Sequence, residues 1–197
     1  MRWSQFLMLH WEALAAADFF TVEAATWHGL VTYYILFVMD LATRRVEIAG
    51  ITPHPTAAFM QQCARQLTDP FEGFLLGKRY LLRDRDTKFT QAFDGLLKGS
   101  GVEPVVLPPR SPNLNAYCER FVRSIKEEAL EQMVMLGERS LSYALHQYLA
   151  HYHHERNHEG LGNGLIAPEL HLGSSRGKMR RRNRLGGLPR YYYWDAA

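Results

Sequence analysis

Residues 30–40 read LVTYYILFVMD, β-branched or aromatic almost throughout and bounded by Gly29 and Asp40. A run with no polar face, built as a strand, has to be covered on both sides. Its most apolar part, Tyr33–Met39, is far shorter than the roughly 20 residues a helix needs to cross a bilayer. The run therefore predicts a central strand inside a layered α/β domain rather than a membrane span. A chain of 197 residues buries enough surface for such a core without disulfide staples.

The flanking sequence fills in the layers. Ala13 to Ala24 is apolar around a single acid, Asp18, and reads as a preceding strand; residues 44–51 (RRVEIAGI) read as a following one, with the turn at Leu41–Thr43. The first 51 residues thus predict a three-stranded meander. Thr52–Pro55 breaks it, and Thr56 is placed to cap a helix over Ala57–Leu67. Residues 79–83 (RYLLR) predict a strand that stops at Asp84 and Asp86; Thr90–Lys98 predicts a helix ended by Gly99–Gly101; residues 102–107 predict a last strand. Past the Pro/Asn-rich loop 108–115, helices are expected over 116–136 and 140–154, and a short helix over Trp3–His10. Strands first, then strand–helix alternation, then helices, indicate one mixed sheet with helices on its faces.

Charge is unevenly spread. Residues 171–197 hold seven Lys/Arg against one acid, Asp195, while the other 170 residues hold 16 basic and 19 acidic side chains. That pattern predicts a polyanionic partner for the tail. The organisation expected is a lead-in over 1–12, a core over 13–170 and a basic, aromatic tail over 171–197. Residues 185–194 (LGGLPRYYYW) fit either base stacking or a small strand pair against a partner. Cys63 and Cys118 are too few and too isolated for a disulfide framework, and the residues after Met1 contain no secretory apolar segment.

Three acids stand out by position. Asp18 interrupts an apolar strand, Asp84 closes another, and Glu119 opens a helix just after the Pro/Asn loop. A carboxylate in such a place is unfavourable unless compensated. Two like charges about 4 Å apart repel by about 4 kcal/mol at an effective dielectric near 20. Hard oxygen ligands supplied by few side chains are the pattern of Mg²⁺, and two such ions suit in-line phosphoryl displacement.

RDRDTKF (Arg83–Phe89) resembles the acid–hydroxyl–Phe motif of the integrase catalytic core, and SPNLNAYCERFVRSIKEE (Ser111–Glu128) its Ser-Pro/Asn loop and Glu-Arg…Lys helix. FVMDLATRR (Phe37–Arg45) is similar to that family's second strand and turn, and HYHHERNHEGLGNGLIAPE (His151–Glu169) to a downstream signature of insertion-sequence transposases. The joint resemblance, in order over residues 10–170, is to DDE transposases and retroviral-type integrases. It implies a ribonuclease-H-like fold, a mixed five-stranded sheet with three antiparallel strands then two parallel, flanked by helices. It implies an acidic triad at Asp18, Asp84 and Glu119 that is both catalytic and metal-binding, holding two Mg²⁺ or Mn²⁺ ions. The implied activity is DNA cleavage and strand transfer. Asp84 is favoured over Asp86 because the motif aligns on Thr87 and Phe89 and leaves 34 residues before Glu119, against 32 from Asp86.

Around the triad, Arg123 and Lys126 follow Glu119 at helical spacing and are expected to contact DNA, as are Asn115 in the loop and Arg180, Arg181 and Arg182 in the tail. Asp86 and His158 are secondary candidates; Asn157 stands where the family usually has Pro. Asp40 is read as a turn former. His151, His153, His154 and His158 have irregular spacing and no nearby Cys, which disfavours zinc. The expected partners are DNA, further copies of the chain assembled on DNA and a separate helix-turn-helix module, with no membrane; the expected location is the bacterial cytoplasm, at the nucleoid. The rival expectations are a nuclease of the same fold that cuts without joining, and a truncated DNA-binding remnant.

Overall fold

From Ile35 to Met39 no residue is more than 1 % exposed, as a strand covered on both faces requires. This run lies in β2 (Gly29–Asp40), between β1 (Leu14–Thr26) and β3 (Val46–Thr52). With β4 (Tyr80–Arg83) and β5 (Glu103–Val106) they form a five-stranded sheet in the order β3-β2-β1-β4-β5. A two-residue turn, Trp27–His28, joins β1 to β2, which makes that pair antiparallel. β2 and β3 are antiparallel, whereas β4 runs parallel to β1 and β5 parallel to β4. The mixed sheet is the one expected. The computed structural model describes residues 3–108, 116–168 and 178–195.

The chain divides into two compact units, Met1–Glu23 with Val31–Val122, and Ala24–Leu30 with Arg123–Ala197. In the first, strand alternation sorts the side chains. Ala15, Ala17, Leu36, Val38 and Leu81 face a core shared with α2 (Ala57–Leu67) and α3 (Gln91–Gly99). Both helices begin as the sequence predicts: Thr56 and Thr90 cap them by accepting the backbone N–H of Phe59 (3.3 Å) and Phe93 (3.2 Å). Met60, Cys63, Ala64 and Leu67, at helical spacing, carry the buried stripe of α2. On the opposite face of the sheet the Phe20 and Phe37 rings meet at 5.8 Å, and Phe37 meets Phe121, from the first half of α4 (Ala116–Glu128), at 5.0 Å.

β3 begins at Val46, two residues later than the sequence suggests. The connection before it is longer, Leu41 to Arg45: the Asp40 carboxylate accepts the N–H of Ala42 (3.0 Å), and Arg44 takes a left-handed φ of 64°. Asp40 is thus the turn former expected, and Lys78 pairs with it at 2.9 Å.

The second unit departs more from expectation. The helix predicted over 116–136 stops at Glu128, where Ala129 leaves helical geometry and the Gln132 side chain caps the Glu127 carbonyl at 2.6 Å. Residues 133–136 then leave the helix, and Leu136 bridges to Ala25, which donates its N–H to the Met135 carbonyl at 2.8 Å. A second helix, α5, covers Gly137–His154. The tail folds on itself: β6 (Lys178–Asn183) and β7 (Arg190–Asp195) form an antiparallel hairpin, so the aromatic run pairs with the basic one.

That hairpin is fastened to the end of α5 by one carboxylate. Glu155, its side chain 1 % exposed, receives Arg184 at 2.7 Å, Arg182 at 3.1 Å and His151 at 3.1 Å. Burial alone would raise its pKa, but the hydrogen bonds from Arg184, His151 and Arg182 outweigh it and hold Glu155 below the ordinary glutamate range. A carboxylate held low contributes stability above its unfolded pKa and loses it as pH falls through the folded value. Glu155→Ala strands two guanidinium groups and should cost about 3 kcal/mol in denaturant unfolding. It should also expose Arg180–Arg182 to trypsin, and a hairpin equally protected in parent and variant would show that Glu155 is not what holds it.

Candidate active site

The pairing of β1 with β4 runs Leu14↔Tyr80, Ala15↔Leu81, Ala16↔Leu82. Two residues further along that register come Asp18 and Asp84. Asp18 alternates with Ala15 and Ala17, so it points away from the α2/α3 core, to the face of Phe20. That is the face where Phe37 meets Phe121 of α4, and Glu119 lies in the first turn of the same helix. Topology thus brings the three acids predicted from the sequence to one end of the sheet.

Their charges are felt there. The pKa of Asp18 is raised from 3.8 to about 6, first by burial and then by the charges of Asp84, Glu119 and Asp86, against a hydrogen bond from the Phe19 N–H at 2.8 Å. The buried Cys118 thiol is pushed up as well, by burial and then by Asp18 and Glu119. Glu119 is exposed, near the N-terminus of α4, where a negative charge is favoured. Asp84 is half-buried, and its Oδ1 accepts the Asp86 N–H at 3.0 Å.

Asp86 is occupied differently. Burial raises its pKa, but bonds from the Lys88 ammonium and backbone N–H (2.9 Å) hold it below the ordinary range. Of the two acids after β4, the one already neutralised is Asp86. As the side chains stand, no three His, Cys, Asp or Glu among the described residues converge closely enough to hold a metal ion. In donor chemistry the site still fits a hard divalent cation, because the disfavoured Asp18 charge lies among carboxylates that such an ion would neutralise.

The fold is that of an integrase catalytic core. Residues 100–164 match a family model described as integrase core domain. The BIV integrase catalytic core domain superposes with a TM-score of 0.55 at 21 % identity, over 79 % of this chain and 91 % of that one. The HTLV-2 integrase catalytic core domain, solved in complex with magnesium in a trimeric form, gives 0.59 at 13 % identity, over 79 % and 93 %. The simian T-cell lymphotropic virus intasome, solved with PP2A regulatory subunit B56 gamma, gives 0.56 at 12 % identity, over 92 % of this chain and 66 % of that one. No curated protein matches the sequence.

Within this integrase-type core, two supports of the acids were not anticipated from the sequence. Arg83, 7 % exposed at the end of β4, binds Asp94 of α3 through Nε at 3.1 Å and donates through Nη1 to the Asp84 carbonyl at 3.0 Å. It thereby fixes the backbone that carries Asp84. The Arg44 guanidinium lies 3.5 Å from the ring centroid of Tyr117, which also meets Trp11 at 5.7 Å. That cage holds the start of the Glu119 helix. The only signal for Arg83 was a cation closing an apolar strand.

The other candidates scatter. Arg123 is exposed and Lys126 half-buried on α4. Asn115 lies outside the described residues. Arg182 is engaged with Glu155, while Arg180 and Arg181 are exposed on β6. His158 is buried and donates through Nε2 to the Tyr152 carbonyl at 2.7 Å, which gives it a structural task inside the second unit. His151 and His154 bond to Glu155 and to the Ala167 carbonyl (2.7 Å), so these histidines serve separate packing contacts.

A carboxylate whose folded pKa is raised favours the fold below its unfolded pKa, and that contribution is lost as pH rises through the folded value. Asp18 therefore weakens the metal-free protein progressively from about pH 4 to about pH 6, and fully above that. Asp18→Asn should raise Tm near neutral pH in EDTA, with the gain vanishing toward about pH 4. A lower Tm for the variant near neutrality would show that Asp18 is not held against its charge.

Proposed function

We propose that this chain is the catalytic core of a DNA transposase or integrase, cleaving phosphodiester bonds and transferring strands, with Asp18, Asp84 and Glu119 as its catalytic, metal-holding carboxylates. The observation that carries the reading is the parallel register of β1 with β4, which sets Asp18 beside Asp84, together with the packing of α4, whose first turn holds Glu119, on the same face of the sheet; the raised pKa of Asp18 is in keeping with it. The integrase-type fold and the magnesium in the HTLV-2 integrase structure support it.

Mg²⁺ or Mn²⁺, when bound, would supply Lewis-acid activation of a water and of the phosphate oxygens. The chain's own residues set the conditions for that chemistry. Asp18 and Asp84 offer hard oxygens from neighbouring parallel strands, and Glu119 offers a third from a helix start. Arg83 keeps the Asp84 backbone in place, and Lys88 pairs with Asp86. Arg123 and Lys126, farther along α4, suit phosphate contacts, which position DNA without reading its sequence. The exposed Arg180 and Arg181, with Asn115 of the loop, extend the same role. Assembly of several copies on DNA is the arrangement to expect, given the intasome among the similar structures.

The test is metal-dependent nicking and joining of a labelled DNA end by the parent and by Glu119→Gln. The expected result is nicked and joined product from the parent and a loss of at least about a hundredfold in the variant, the size of effect seen when one transition-state-stabilising group is removed. Nicks without joined product would replace strand transfer by simple cleavage. Undiminished activity in Glu119→Gln, or no product from a folded parent on its native element ends, would overturn the proposal.

A further inference from the structure

The hairpin β6–β7 has two faces of different character. Its register pairs Arg180 with Tyr193 and Arg182 with Tyr191 on one face, and Met179 with Trp194, Arg181 with Tyr192 and Asn183 with Arg190 on the other. The first face is turned inward over most of its length: Arg182, Tyr191 and Tyr193 are half-buried, Arg182 binds Glu155, and Tyr191 and Tyr193 stack at 5.9 Å, while Arg180 at its end is exposed. The second is turned out, with Tyr192 at 56 %, Trp194 at 41 % and Met179 at 57 % exposed, and Arg181 and Arg190 exposed beside them. None of the six residues on that outward face is acidic.

Exposed rings set among cations, on a ribbon held rigid from behind, are the ingredients of a stacking platform for an unpaired polyanion with flat faces. Tyr192 and Trp194 are two residues apart on one strand, so their side chains repeat at about 6.6 Å. That is about twice the 3.4 Å base rise of a DNA strand, which leaves room for one base between the rings. A duplex hides its base faces and offers this platform only phosphates.

We infer that the outward face of the hairpin, through Tyr192, Trp194, Arg181 and Arg190, binds single-stranded DNA, while Arg182 on the other face anchors the hairpin. The choice of DNA over other single-stranded polyanions rests on the function proposed above; the stacking site itself does not. The assignment separates two neighbouring arginines: Arg181 contacts the strand, and Arg182 holds the hairpin.

The test is fluorescence anisotropy of a labelled oligothymidylate with the full chain in EDTA, where strand cleavage plays no part. The parent should bind the oligothymidylate more tightly than a duplex of equal length. Tyr192→Ala and Trp194→Ala should each weaken binding at least about fivefold, the lower end of a base–aromatic stack. Tyr192→Phe, which keeps the ring, should bind like the parent. Arg181→Ala should lower the slope of log affinity against log salt by about 0.7, as expected for one phosphate contact on a single strand. Ring-deletion variants that bind like the parent, a preference for duplex, or a parent that binds no oligothymidylate would each overturn the inference. Because the readout is metal-free binding, a failure of catalysis in the nicking assay leaves this result standing, and the reverse also holds.

Discussion

Burial of the Asp18 carboxylate in a strand that is otherwise apolar is the constraint on which the site depends. Ala15, Ala16 and Ala17 just before it are at most 1 % exposed, and a strand that buries alanine on both faces admits close neighbours. The register with β4 then fixes which acid comes alongside, and the aromatic contact of Phe37 with Phe121 fixes which face α4 covers. Once those packing choices are made, three carboxylates share one end of the sheet, and the one set inside a strand carries the strain as a raised pKa.

Glu155 is the instructive contrast. It too is taken out of water, yet its pKa falls, because two guanidinium groups and an imidazole meet it. The same desolvation therefore has opposite outcomes in two parts of one chain. Where the fold supplies cations, a buried carboxylate becomes a fastener, as Glu155 is for the terminal hairpin. Where the fold supplies further acids, it becomes a place that an external cation would stabilise. Asp86 and Asp40 belong with Glu155, since Lys88 and Lys78 neutralise them locally.

Much of the fold was legible in the sequence because it depends on local patterns. Apolar runs marked β1, β2 and β4, and Thr56 and Thr90 marked helix starts. The positions of Asp18, Asp84 and Glu119 on their elements followed from the same patterns, but that they share one end of the sheet came only through the family resemblance. What was not legible depends on contacts between distant residues. The end of α4 is set at Glu128 by a Gln132 cap and by a single bridge from Leu136 to Ala25 of β1, which no helical periodicity reveals. The pairing of the aromatic run with the basic run before it was not read from the sequence, because a Gly/Pro-punctuated aromatic run fits a strand only when its partner is known. The Arg83–Asp94 pair and the Glu155 clasp join residues 11 and up to 29 positions apart, and a single sequence carries no sign of such pairings.

The most direct measure of the central claim, that Asp18, Asp84 and Glu119 form a divalent-cation site from which Asp86 is excluded, is calorimetric titration of the full chain with Mn²⁺. Parent, Asp84→Asn and Asp86→Asn would be compared. The account predicts saturable binding by the parent, its loss in Asp84→Asn and its retention in Asp86→Asn. Binding that survives Asp84→Asn but disappears with Asp86→Asn, or a folded parent that takes up no Mn²⁺, would contradict it.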